Sequence, residues 1–196
     1  MPVGARSVVV FAHGSGGSRR SPRNRHVAAA LARAGHATLL MDLLTAEEER
    51  VDLRTRELRF DIGLLATRLT GAVDWWTAEH GTELPVVTFG ASTGAAAALV
   101  TAAERSAIVG VVARGGRPDL AGSALARVDV PVLLVVGGLD HQVLELNRQA
   151  AGAIRGPVEI AVVPGATHLF EEPGTLDEVV RLTVAALDRW VGPRSA

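Results

Sequence analysis

The sequence predicts an α/β fold, one mostly parallel sheet of about six strands flanked by helices. Six short apolar runs rich in β-branched residues recur, at residues 7–12, 37–42, 86–90, 108–114, 132–137 and 158–163. Such near-continuous runs suit strands buried on both faces. Helical patterns alternate with them, which is the signature of strands joined by crossover helices. The chain has 196 residues, 48% of them hydrophobic, enough to bury one sizeable core. No repeat, low-complexity tract or linker divides it, so residues 1–196 read as a single domain.

The elements follow in order. After the first run, Ser21-Pro22 reads as a capping serine with proline at the first helical position. Val27, Leu31 and Ala34 give that helix one apolar face, and Gly35 can end it. A long helix is expected over about residues 54–79, where Leu58, Ile62, Leu65, Leu69, Val73 and Trp76 step by three and four. Ahead of it Thr45 and Glu48 fit a capping box, and residues 43–57 are the one stretch to spare for a lid. Trp76 follows the apolar face and reads as core. A further helix follows Asp140, carrying Val143, Leu144, Asn147, Ala150 and Ile154. The last runs from about Thr175, with Glu178 three residues on, to Trp190, before Gly192-Pro193.

Composition excludes several functions. The formal net charge is -1, so bulk charge draws the chain to neither nucleic acid nor anionic membrane. All 20 basic residues are Arg. With no Cys, disulfides, thiolate metal sites and a Cys nucleophile are impossible. The 6 His show no metal-ligand spacing, and no metal is expected. The amino-terminal residues lack a signal peptide's order of regions, and no uncharged apolar run of roughly 18 residues exists. A cytoplasmic protein without a membrane span is the expectation.

The chemistry concentrates in "VVTFGASTGAAAAL", residues 86–99. Gly90-Ala91-Ser92-Thr93-Gly94 fits G-x-S-x-G between a strand and a helix. A tight turn there pushes one hydroxyl outward and leaves no room for flanking side chains, which explains the glycines. The alanines at 95–98 let the next helix pack close to the sheet. A serine hydroxyl is a poor nucleophile unless a base takes its proton and an acid orients the base. Both follow in the chain order serine, acid, histidine. "VLLVVGGLDHQV" places Asp140 just past one strand, and "IAVVPGATHLFEEPG" places His168 in the loop beyond the last. All three would meet above the carboxyl edge of the sheet, where ligands bind in open α/β folds. His141 competes with His168 as base, but adjacent residues rarely point at each other, and His141 adjoins Asp140. Asp140 could also cap the helix it precedes.

An oxyanion needs two backbone N–H donors. One is expected from Thr93 and the other from Ser15 in "AHGSGGS", with Gly14 and Gly16 as alternatives. His13 reads as shaping this loop. His26, His36 and His80 read as surface or helix-end residues. The stretch "SRRSPRNRH" puts Arg19, Arg20, Arg23 and Arg25 at a helix N-terminus, which favours an anion. Arg114, after the fourth strand, could reach the same anion. His13, Gly14, Gly16, Arg19, Arg20 and Arg114 are thus the candidate substrate-binding residues.

The set "FAHGSGGS", "GASTG", "GGLDHQV" and "GATHLF" resembles the α/β-hydrolase superfamily over essentially the whole chain, and its small size is similar to the dienelactone hydrolase-like branch. That resemblance implies the α/β-hydrolase fold with little or no cap, no cofactor, and small-molecule ester, lactone or thioester substrates. Dienelactone hydrolases proper use a Cys nucleophile, where this chain has Ser92. The fold's usual first two strands have no room before Ser7, so the expected strand order is 2-1-3-4-5-6 by this chain's own count. Two other classes stay open: a non-catalytic small-molecule or phosphate-binding module on the same fold, and an acyltransferase using the same triad.

Overall fold

The computed structural model of the protein describes residues 2 and 4–192. The strands are β1 (Val8–Ala12), β2 (Ala37–Leu40), β3 (Val86–Ala91), β4 (Ile108–Arg114), β5 (Val132–Gly137) and β6 (Val158–Val163). They form one six-stranded sheet in the order β2-β1-β3-β4-β5-β6. All pairs are parallel. Every residue of β1, β3 and β5 is buried, the environment that near-continuous apolar runs require.

Two hydrophobic layers sandwich this sheet. On one face Val9, Phe11, Phe89, Val112 and Val135 meet α1 (Pro22–Arg33) and α6 (Thr175–Val191). On the other, Val8, Val10, Val111 and Leu134 meet α3 (Ile62–His80), α4 (Thr93–Glu104) and α5 (His141–Ala151). Trp76 is buried in that second layer, while Trp75 next to it is exposed, as the apolar stepping predicts. Ala95, Ala96, Ala97 and Ala98 are all fully buried, so α4 lies close against the sheet.

Four local expectations are corrected. The long helix is two. The capping box is present, Thr45 accepting from Glu48 N and Glu48 from Thr45 N, but it heads a separate α2 (Ala46–Thr55). Arg56 then turns left-handed at φ 59, a 3-10 turn spans Leu58–Phe60, and Asp61 caps α3. The break is held by Asp52, whose buried carboxylate accepts from Arg59 N at 3.0 Å and Arg59 Nε at 2.6 Å. Ser21 stands at the N-cap of α1 but its side chain makes no capping bond. Gly174, not Thr175, caps α6; the Thr175 hydroxyl donates to Glu172 O, and Glu178 pairs with Arg181. His36 is fully buried rather than at the surface. Pro193 lies outside the described residues.

Among the described residues no helix is long and apolar enough to cross a membrane. None of their His, Asp and Glu groupings could hold a metal ion.

Candidate active site

The strand order reverses between β1 and β3, and the loops at their carboxyl ends are adjacent for that reason. Ser92 follows β3, at the N-cap of α4, with φ 50 and ψ -120, a conformation that a residue with a side chain rarely adopts. Such strain costs on the order of 1–3 kcal/mol and persists only where its surroundings impose it. The glycines impose it. A Cβ at Gly90 would lie 2.4 Å from Ala95 Cα, and one at Gly94 would lie 2.3 Å from Ala12 O. Only bare backbone lets α4 start this close to β1 and β3.

Asp140 and His168 come from two neighbouring loops. A Cβ at Gly137 would lie 2.5 Å from Ala166 O, so the turn after β5 sits against the loop after β6. Leu139 N donates to Ala166 O at 3.0 Å and Gly138 N to Val163 O at 2.8 Å, locking the two together. Across this seam His168 Nδ1 donates to Asp140 Oδ2 at 2.7 Å. The proton on Nδ1 leaves Nε2 as the ring's acceptor. Asp140 makes no side-chain cap on α5, so its carboxylate is committed to His168. His141 is exposed on the first turn of that helix. Two residues outside the expected set support His168. Glu172 accepts from Thr167 N at 3.1 Å and Thr167 Oγ1 at 2.6 Å, and these bonds hold its carboxyl below the usual range. Gly115, at φ 50, leaves space that a Cβ would fill 2.9 Å from His168 O. The Gly115 approach is a contact between loops, for which the sequence carries no signal.

Ser92 and His168 line one cleft of about 310 Å³, together with His13, Gly14, Ser15, Gly16, Gly17, Ser21, Arg23, Asn24, Ala91, Arg114 and Leu169. No hydrogen bond joins Ser92 to His168 among the described residues.

The glycine-rich loop reaches Ser92 directly, since a Cβ at Gly14 would stand 3.0 Å from Ser92 Cβ. Gly17 N donates to Gly14 O at 2.9 Å, and Gly16 supplies the positive φ of 67 that this turn needs. Ser15 and Thr93 are brought together, their hydroxyls 3.2 Å apart. His13 is fixed from both sides. Its Nε2 accepts from Leu43 N at 3.0 Å, so Nδ1 carries the proton and donates to Gly14 O at 2.9 Å. With both nitrogens engaged it braces the loop.

Of the expected anion-binding arginines, Arg23 and Arg114 line the cleft. Arg19 is tied to Asp42, through its backbone N at 2.6 Å and its guanidinium. Arg20 is exposed and outside the cleft. Neither arginine lines the Ser92 cleft, Arg19 because Asp42 holds it. Arg23, one turn further on, lines the cleft as expected, with Asn24 beside it, while Arg25 is exposed and outside it. Residues 43–57 do not cover Ser92. Leu43, Leu44, Glu49, Asp52 and Leu53 wall a second cavity on the far side of the glycine-rich loop, adjoining Thr93.

Comparison with known proteins agrees with this geometry. Residues 5–187 match the family described as an alpha/beta hydrolase domain. The solved dienelactone hydrolase from Anabaena variabilis is 55% identical, with a TM-score of 0.94 over 97% of this chain and 89% of that one. Est1E from Butyrivibrio proteoclasticus shares the fold at 16% identity, TM-score 0.77, over 96% of this chain and 89% of its own. A protein of Mycobacterium tuberculosis named putative phosphoribosyl transferase is 56% identical across 98% of this chain, which spans only 43% of that relative's length. The family match, the sheet order and the serine turn lead to one assignment: the chain belongs to the alpha/beta hydrolase domain family, as a dienelactone hydrolase-like member.

Proposed function

We propose that the protein is a serine hydrolase that cleaves a small carboxylic ester, lactone or thioester through an acyl-enzyme. The observation that carries this reading is the 2.7 Å bond from His168 Nδ1 to Asp140, with His168 and the strained Ser92 lining one cleft. Ser92 Oγ attacks the acyl carbon while His168 Nε2 takes the hydroxyl proton. Asp140 holds the ring tautomer and stabilises the imidazolium. Thr93 N–H and Ser15 N–H receive the oxyanion. His168 then gives the proton to the leaving oxygen or sulfur, and the acyl group stays on Ser92. Water attacks that ester, His168 takes its proton and returns it to Ser92 Oγ, and the acid departs. No cofactor enters any step.

The test is a fluorophosphonate probe with the adduct located by mass spectrometry, beside Ser92→Ala. Stoichiometric labelling of Ser92, lost in the variant, is the expected result. Folded protein that takes no label would overturn the reading.

The mycobacterial relative's name favours a second reading, phosphoribosyl transfer. The shared part is less than half of that protein, so the named activity can belong to its remaining length. A serine turn with a His–Asp pair has no role in moving a phosphoribosyl group. Release of diphosphate from a phosphoribosyl diphosphate donor by this chain would favour the second reading.

A further inference from the structure

One wall of the Ser92 cleft is left electrostatically incomplete. Arg114 ends β4, and its register opposite Ala91 sets it beside the nucleophile. The residue is buried, 7% exposed, and its guanidinium makes no hydrogen bond or ion pair among the described residues. Four buried polar atoms without a partner belong to this wall: Arg114 Nε, Arg114 Nη1, Arg23 Nε and Asn24 Oδ1. Leaving such groups unpaired is costly, and for charged groups more so. The residue facing Arg114 adds to the cost, because it is a second arginine. Burial first, and the charge of Arg23 second, push the Arg114 guanidinium down to about 10. On the rim the exposed Glu171 takes Arg23 Nη1 at 2.8 Å.

The N-terminus of α1 completes the same wall. Ser21 gives it no side-chain cap and Pro22 has no N–H. Arg25 N is already bonded to Ser21 O, which leaves Arg23 N and Asn24 N as the open donors of the first turn. Turning the Asn24 amide over presents its NH₂ where Oδ1 now stands unpaired. Two guanidiniums, two axial backbone N–H groups, an amide and the Ser21 hydroxyl then converge from β4 and α1. A carboxylate, with two oxygens and one charge, is satisfied by a single guanidinium fork. This set offers more donors than a carboxylate can use and matches the three oxygens of a phosphate group.

We infer that the wall formed by Arg114, Arg23, Asn24 and the N-terminus of α1 is a subsite for a phosphate group carried by the substrate close to its scissile carbonyl. The assignment of that phosphate to a substrate rests on the hydrolase reading, but the anion site itself does not.

The test compares three 4-nitrophenyl esters of similar length: 3-phosphonopropanoate, hemisuccinate and butanoate. The expected kcat/KM for the phosphonate exceeds that for the butanoate at least tenfold, with the hemisuccinate between them. In Arg114→Gln the phosphonate-to-butanoate ratio falls at least tenfold. Arg23→Gln, at a partly exposed position, lowers it severalfold and carries the test if Arg114→Gln does not fold. A second readout needs no turnover. Inorganic phosphate raises the melting temperature of the wild type more than acetate does, and the difference disappears in the arginine variants. Equal ratios for all three esters with no phosphate-dependent shift would overturn the subsite. A hemisuccinate preferred over the phosphonate would overturn the assignment to phosphate. Phosphate stabilisation through Arg114 in a protein that takes no fluorophosphonate would overturn the hydrolase reading and leave the subsite standing.

Discussion

At the scale of single residues, bare backbone and paired side chains each act in a defined place. Asp140→Asn removes the charge that fixes the His168 tautomer while keeping the shape. Activity toward any accepted ester is expected to fall by about 10³–10⁴-fold with the melting temperature nearly unchanged. Activity within tenfold of wild type would mean that another acid serves His168. His36 sets the response to acid. It is fully buried, Ser7 Oγ lies 2.8 Å from Nδ1 and Arg6 Nη2 lies 3.0 Å from Nε2. Burial, and then the charge of Arg6, lower its pKa from 6.5 to about 4. The unfolded chain therefore binds a proton that the folded chain refuses between those values. Stability is complete above pH 6.5 and declines as pH falls toward 4, by about 2–3 kcal/mol from this group. Urea unfolding at pH 7 and pH 4.5 measures the loss, and His36→Asn should flatten it. That histidine was illegible as a buried group in the sequence. Nothing local distinguishes it from His26, which is exposed against Asp177. The serine turn was legible because its steric demand falls on immediate neighbours, Gly90 and Gly94.

At the scale of elements, strands were easier to read than helix breaks. The six apolar runs reappear as six strands with ends shifted by at most two residues. Residues 50–62 hold no proline and a single potential break was invisible, because Asp52 and Arg59 enforce it across seven positions. The capping box before it was readable, since its two partners are three residues apart. Thr45→Ala removes one of those bonds and should cost about 1 kcal/mol. The loss should appear as faster amide exchange confined to α2, because that helix buries little besides Asp52. Exchange rising equally in α3 would show that the two helices still behave as one. The N-terminus of α1 is the contrasting case. Its serine and proline read as a closed cap, whereas the open N–H groups face the cleft.

At the scale of the whole molecule, the sheet order brings four loops from distant parts of the chain to one edge. The two helical layers must then seat on a fully buried sheet. Gly110 marks how tightly α6 does so, since a Cβ there would fall 2.3 Å from the Trp190 ring. Gly110→Ala should cost about 1–3 kcal/mol by overpacking. Adding Trp190→Leu should recover part of that loss, a coupling that a double-mutant cycle on urea midpoints would measure. Strictly additive losses would show that the ring moves aside freely. The sequence by itself determined the layered α/β class and the positions of Ser92, Asp140 and His168 at strand ends, and its resemblance to the α/β-hydrolase superfamily implied the strand order. These follow from local periodicity, from glycines that a tight turn requires, and from motif order along the chain. Tertiary structure alone decided which charges are satisfied. Arg19 and Arg114 looked alike as residues, yet one lies against Asp42 and the other is buried beside Arg23 without a partner. Pairing depends on what the fold brings within about 3 Å, a distance that spacing along a chain does not encode.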